Sequence, residues 1–251
     1  MWYCTHVPDP VKPSRTFDFP RRRERARATR MRVLDAARAL FVERGYVATT
    51  IDAIAERADV SSETIYARFG NKRAILSDLV DVSIAGDGIA APILERDWVQ
   101  QMRDEPDPHR RLRMLADRGR SILERRAAVD LVVGGAAAAD PDIAALRELG
   151  KVQRHAGQLE LLRIVVGTSG PREGLDLEAA ADVLYAIGSP ETYQLLVTDR
   201  GWSPSRFEAW YGETLDRLLL APENHPDDAL QESEGGGYHD ENDEADDKQR
   251  P

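Results

Sequence analysis

Cysteine is almost missing from this chain. Cys4 is the single thiol, so no intrachain disulfide can form and a reducing cytoplasm is the expected compartment. Aromatic residues make up only 6% of the sequence, and no apolar run approaches the ~20 residues that a helix crossing a bilayer requires. The richest run, Leu131 to Ala139, is too short, so no membrane partner is expected. Met1 to Pro20 lacks the apolar centre of a signal peptide and carries four prolines, which predicts a disordered extension. The histidines, His6, His109, His155, His225 and His239, show no paired spacing for a metal. No H-E-x-x-H, phosphate loop or C-x-x-C occurs. In Gly167-Thr168-Ser169-Gly170 the second glycine comes one place too early for a nucleophile turn. No catalytic centre, metal or cofactor is therefore expected.

Acid is present in excess, with a net charge of −10 over 251 residues. Taken alone, that balance argues against a polyanionic partner, but its distribution reverses the argument. Up to Arg30 there are eight basic residues against three acidic ones, while from Ala221 onward two basic residues face eleven acidic ones. The tail, 221–251, contains Gly235-Gly236-Gly237 and reads as disordered and acidic. Arg21, Arg22, Arg23, Arg25 and Arg27 form a basic arm placed to touch phosphates or a minor groove, with affinity that falls as salt rises.

Between these ends the pattern is helical. Val33, Leu34, Ala37, Leu40 and Phe41 recur at helical spacing in a helix of roughly Arg27 to Arg44, which Gly45 stops. Thr49 or Thr50 can cap a short second helix that turns Ile51, Ile54, Ala55 and Ala58 inward, and Asp59 breaks the pattern. Ser61 or Ser62 can cap a third, which buries Val60, Ile65 and Phe69 and leaves Ser62, Glu63, Thr64, Tyr66 and Ala67 outward or at the edge. Helices this short cannot stand alone. Two short helices joined by a tight turn, with hydroxyls at their starts and Lys72 just beyond, have the form of a helix-turn-helix DNA reader.

Val33-Leu34-Asp35-Ala36-Ala37, Leu40-Phe41, Gly45-Tyr46, Thr49-Thr50-Ile51, Ile54-Ala55, Val60-Ser61, Ile65 to Phe69, and Lys72 with Ile75-Leu76 together resemble the N-terminal domain of the tetracycline-repressor (TetR) family. The resemblance implies phosphate contacts from the hydroxyls of Thr50 and Tyr66 and from Lys72. It further implies base-edge contacts from Ser62, Glu63, Thr64 and Ala67, with Ser61 at the helix start and Arg68 at the rim. Two residues depart from the family pattern: Asp59 stands where glycine is frequent in the turn, and Glu63 where a small residue is common. Phosphates repel a carboxylate at that place unless it accepts a bond from cytosine N4.

The remainder predicts an all-α body, about nine helices in total, divided as a disordered extension 1–20, a head with its basic arm 21–70, a body 71–220 and the tail 221–251. Asn71 can cap a fourth helix through Ile75, Leu76, Leu79 and Val80; Gly86, Gly88 and Pro92 interrupt before Leu94, Trp98 and Met102. Leu112, Leu115, Ile122 and Leu123 mark a helix, a short segment from Ala127 to Ala139 follows, and Asp140-Pro141 opens a long helix whose apolar stripe includes His155. Asp176 caps a helix kinked at Ser189-Pro190, and Ser203-Pro204 opens the last.

The last two helices carry more apolar surface than one body can cover, which predicts a homodimer through Leu184, Tyr193, Leu196, Phe207, Trp210, Tyr211, Thr214 and Leu218. Ser189 to Tyr193, Gly201-Trp202-Ser203-Pro204 and Trp210 resemble the C-terminal part of one large TetR branch. The family resemblance implies release from an operator by an unknown small molecule. Trp98, Met102, Met114, Asp130 and His155 are the expected pocket residues, as polar or polarizable groups among apolar helices. A DNA-binding activator or architectural factor without an effector is the other reading the sequence leaves open.

Overall fold

The computed structural model describes residues 19–86 and 92–222. The 1–18 part of the N-terminal extension and 223–251 of the acidic tail lie outside the described residues, as does Gly88. Helix α1, Phe19–Ala48, begins earlier than the apolar periodicity predicts, so Arg21 to Arg27 form its exposed first turns rather than a separate arm. Near its end Gly45 takes φ 77°, a backbone state that favours glycine, and redirects the chain toward Thr49.

Thr49 and Thr50 divide the capping work. The Thr50 hydroxyl accepts from the Ala53 N–H at 3.1 Å and starts α2, Ile51–Ala58. Thr49 is buried, its hydroxyl 2.8 Å from the Gly45 carbonyl and 3.2 Å from that of Leu40. Asp59 ends α2 in the left-handed region at φ 54°, ψ 53°. Ser61 caps α3, Ser62–Phe69, through the Thr64 N–H, and Asn71 caps α4, Lys72–Ala85, through the Ala74 N–H at 2.8 Å.

Past residues 87–91, a 3₁₀ turn, Ile93–Glu95, leads to α5, Asp97–Asp104. Helix α6, Pro108–Ala137, is a single 30-residue rod, not the two segments its glycines suggest. The cost of Gly134 and Gly135 in a helix is about 1 kcal/mol each. Val129, Val133 and Ala136 offset it by being buried against the head. Helix α7 runs Pro141–Val166 from the Asp140 cap.

Ser189-Pro190 ends a helix rather than kinking it: α8 is Leu177–Ile187 and α9 restarts at Pro190–Tyr193. Proline has no N–H to offer the preceding turn. The Thr192 hydroxyl donates instead to the Ala186 carbonyl at 2.9 Å, while Ser189 caps the new helix. A π-helical turn, Gln194–Asp199, follows, and α10, Pro204–Leu219, completes the described chain. None of the described helices is long and apolar enough to cross a membrane.

Two cores result. One lies within the body, among α5 to α10. The other fills the head but is closed from outside it, by Val129, Val133 and Ala136 of α6 and Ile143 of α7. The head's packing therefore extends past Gly70 through Ile75, Leu76 and Leu79 of α4.

Candidate nucleic-acid interface and body cavity

Helix α3 is amphipathic over two turns, and burial of Ile65 and Phe69 fixes which side faces out. Glu63, Thr64, Tyr66, Ala67 and Arg68 are exposed, Tyr66 to 54%. The hydroxyls of Ser61, which is exposed, and Ser62, expected on the same reading face, are already bonded to other residues of the head. Ser61 accepts the cap bond from the Thr64 N–H at 3.3 Å, and the half-buried Ser62 donates to Asp52 Oδ1 at 2.6 Å. A hydroxyl offers one donor and two lone pairs, so Thr50 keeps its O–H after accepting from Ala53.

Glu63 sits in the first turn of α3. Its own backbone N–H and the Ser61 hydroxyl bond to the carboxylate and hold it below the usual glutamate range. A negative charge there also favours the helix start.

Lys72 is not aimed at solvent. Its ammonium donates to the carbonyls of Tyr46 at 2.7 Å, Val47 at 3.3 Å and Thr49 at 2.7 Å, and lies over the Tyr46 ring. Three N–H groups meet three carbonyls. Beside this clasp, Arg57 holds both carboxylate oxygens of Glu43 at 2.9 Å, and Arg30 of α1 bonds Asp78 of α4 at 3.0 Å. An open groove lined by Thr29, Arg30, Thr64, Ala67, Arg68 and Asp78 separates the first turns of α1 from α3. Arg21, Arg22, Arg23, Arg25 and Arg27 are exposed along those turns.

The body contains a cavity of about 230 Å³ between α4, α5, α6, α7 and the α8–α9 junction. Ile84, Trp98, Ile122, Leu161 and Leu184 make most of it apolar; Asp81, Arg126, Gln153, Arg154 and Gln158 give it a polar side. An adjoining chamber of about 80 Å³ shares Asp81, Arg126 and Arg154 and reaches Asp130, Arg147 and Lys151. Burial, and then the charge of Asp78, pushes the Asp81 carboxyl up, against Arg30 and Arg126. Burial likewise raises the Tyr211 hydroxyl. Arg126 holds Asp130 through two bonds, Nε to Oδ2 at 2.7 Å and Nη2 to Oδ1 at 2.9 Å.

The expected pocket residues scatter. Trp98 lines the larger chamber and Asp130 the smaller. Met102 is fully buried in the body core, and Met114 packs against that core. His155 turns toward α8, with Nε2 3.0 Å from Asp182 and its ring edge-on to Tyr185, so it lines neither chamber. The sequence reading missed the α7 face made by Gly150, Gln153, Arg154, Gly157 and Gln158. Its signal was there: at helical spacing, that face carries glycine and long polar side chains where a packed core would carry leucine.

The expected dimer residues divide as well. Leu184, Tyr193, Phe207 and Tyr211 belong to the subunit's own core, where Tyr193 meets Phe207 edge-on at 4.9 Å. Helices α8 and α10 pack on each other, α8 also on α7 and α10 on α6, so these large side chains are already covered. Leu196, Trp210 and Thr214 are half-buried, while Leu218 is 40% and Leu195 59% exposed.

A sequence model described as "Bacterial regulatory proteins, tetR family" matches residues 33–79, the span from the buried stripe of α1 to Leu79 of α4. The uncharacterized HTH-type transcriptional regulator YdeS of Bacillus subtilis is 32% identical over 179 residues, covering 71% of this chain and 83% of that protein. Among solved structures, FadR of Bacillus subtilis in complex with stearoyl-CoA superposes with a TM-score of 0.59 at 21% identity, covering 74% of this chain and 96% of that one. The SmeT–triclosan complex gives 0.59 at 20% identity, covering 79% and 99%. At these identities the two structures share the architecture alone.

Proposed function

The chain belongs to the tetR family of bacterial regulatory proteins, and on that premise we propose that it is a repressor, binding a palindromic operator as a homodimer and leaving it when a small molecule enters the body cavity. The operator is read by α3, whose exposed Glu63, Thr64, Ala67 and Arg68 meet base edges while Thr50 and Tyr66 hold phosphates. Two copies join through the outer face of α8 to α10, where Leu195, Leu196, Trp210, Thr214 and Leu218 remain. Joined so, they place two reading helices about one DNA turn, ~34–36 Å, apart.

One observation carries the release mechanism: α4 belongs to both halves. Its first residue, Lys72, grips the turn before α2, and Asp78 in its middle holds Arg30 of α1. Its last turns supply Val80, Asp81 and Ile84 to the cavity wall. Arg125 of α6 fastens that end by donating to the carbonyls of Ser83 at 3.1 Å and Ile84 at 3.4 Å. A molecule that fills the cavity displaces α4 against these ties and moves the head. A coupling of about 1–3 kcal/mol weakens operator affinity roughly 5- to 150-fold. The stearoyl-CoA and triclosan complexes of proteins with this architecture support the reading.

The test is selection of bound sequences from random DNA, followed by anisotropy titration of the selected duplex with and without a panel of small molecules. Two inverted half-sites, a dimer by light scattering and release by at least one compound are expected. A monomer indifferent to every duplex overturns the proposal; tight binding that no compound weakens favours the regulator without an effector.

A further inference from the structure

Two side-chain atoms among the described residues are buried without a hydrogen-bond partner, Arg154 Nη1 and Gln158 Oε1. Both residues line the larger chamber from one face of α7, four positions apart, which makes them neighbours one turn from each other. Leaving a buried donor and a buried acceptor unmet is costly, and here the two orphans are complementary.

Their orientation is fixed by what the rest of each side chain does. Gln158 donates through Nε2 to the Gly188 carbonyl at 3.3 Å. Turning the amide over would set oxygen against oxygen, so Oε1 remains the acceptor that is buried without a partner. The Arg154 guanidinium lies 4.0 Å over the Tyr185 ring, and its closest carboxylate oxygen, on Glu191, is 3.8 Å from Nη1, beyond hydrogen-bond distance. Arg126, the other cation of the chamber, is matched by Asp130.

Resting on the reading of this cavity as the effector site, we propose that the effector is a small, uncharged, mostly aromatic alcohol or phenol whose hydroxyl accepts from Arg154 and donates to Gln158. A hydroxyl does both at one atom. A carboxylate satisfies Arg154 but faces Gln158 Oε1 and Asp81 with a second negative oxygen. An ether accepts and cannot donate; a hydrocarbon does neither. At about 230 Å³, below the usual ~300–1,000 Å³ of ligand pockets, the chamber suits one or two fused rings, packed against Trp98 and Ile122.

The test is calorimetric titration of the full chain with 2-naphthol, 2-methoxynaphthalene, naphthalene and 2-naphthoate. Binding of 2-naphthol about tenfold or more tighter than each of the other three is expected, the size of effect one buried hydrogen bond gives. Gln158→Met and Arg154→Met should reduce that preference to within about threefold while naphthalene affinity is kept, which reports that the cavity is intact. Equal binding of 2-naphthol and its methyl ether, tightest binding of 2-naphthoate, or a preference untouched in a variant that still binds naphthalene overturns the inference. The wild-type series decides alone if neither variant folds. Failure of all four probes to bind removes the effector-cavity reading itself. Preferential binding of 2-naphthol without release of operator leaves this inference standing and removes the release mechanism.

Discussion

Lys72 closes over Tyr46: its ammonium lies 4.4 Å from the ring centroid and donates to the carbonyl of the same residue at 2.7 Å. With the Val47 and Thr49 carbonyls also satisfied, the first residue of α4 holds the turn between α1 and α2 that Gly45 opens. Burial lowers the ammonium's pKa, and the three carbonyls compensate for the lost hydration. Lys72→Met should destabilise the protein by about 1–2 kcal/mol, the lower end for bonds from a charged donor because the site is partly solvated. Lys72→Arg should not restore it, since a planar guanidinium cannot aim three N–H groups around one point. Urea unfolding measures both. The slope of log affinity against log salt should stay within about 0.5 of wild type. A fall of about 2, one phosphate per subunit, would mean that the ammonium leaves its carbonyls for DNA.

Asp59 is the one described non-glycine residue with positive φ, at 54°, in the turn between α2 and α3. A side chain in the left-handed region costs roughly 1–2 kcal/mol, less for Asp than for most residues. Asp59→Gly should therefore stabilise the head by about 0.5–1 kcal/mol after the greater chain entropy of glycine is subtracted. Operator affinity should change little, because α3 keeps its Ser61 cap. A lower unfolding midpoint in the variant would show that the Asp59 side chain supplies something the backbone argument omits.

The caps and apolar stripes of the head could be read from single residues, because Thr50, Ser61 and Asn71 act within three positions of themselves and Ile54, Ile65 and Phe69 follow one period. The body was less legible where tertiary packing overrides a local rule. Gly134-Gly135 looks like a stop, yet α6 continues because Val129, Val133 and Ala136 close the head's core. Phe207 and Tyr211 look like a surface awaiting a partner, yet their own subunit covers them. Met102 and His155 share an apolar stripe with core residues, and periodicity cannot distinguish a side chain that packs from one that borders a void. The cavity follows from what α7 omits, at Gly150 and Gly157, so its sign in the sequence is glycine and polar residues at helical spacing and not an apolar stripe.

Gly157 lies in the interior of α7 and lines the cavity, and a Cβ built on it meets nothing within 4 Å. Gly157→Ala should add about 1 kcal/mol of stability through helix propensity alone. The new methyl occupies chamber volume, so release of operator by any active compound should need a higher concentration, with operator affinity in its absence unchanged. A stabilised protein with an unaltered dose response would separate α7 from the effector route.

Arg126 and Asp130 form a pair in which the carboxyl, despite two bonds to the guanidinium, stands above its ordinary value of 3.8, because burial outweighs the attraction of Arg126. The pair is part-buried, at 14% and 21% side-chain exposure. Removing one partner, by Arg126→Met or Asp130→Leu, leaves the other charge poorly compensated and should cost about 1–3 kcal/mol, less than a fully buried pair because water screens it. Replacing both should return stability to within about 1 kcal/mol of wild type. The pH dependence has a definite sign. A carboxyl with a raised folded pKa favours the fold most below 3.8, and that contribution is lost as pH rises through the raised value. The double variant should therefore gain on wild type between about pH 4 and pH 7, measured as the difference in urea midpoints. If the double variant instead loses ground over that range, the attraction between Arg126 and Asp130 exceeds the cost of burying them, and the polar side of the cavity is a stabilising element in its own right.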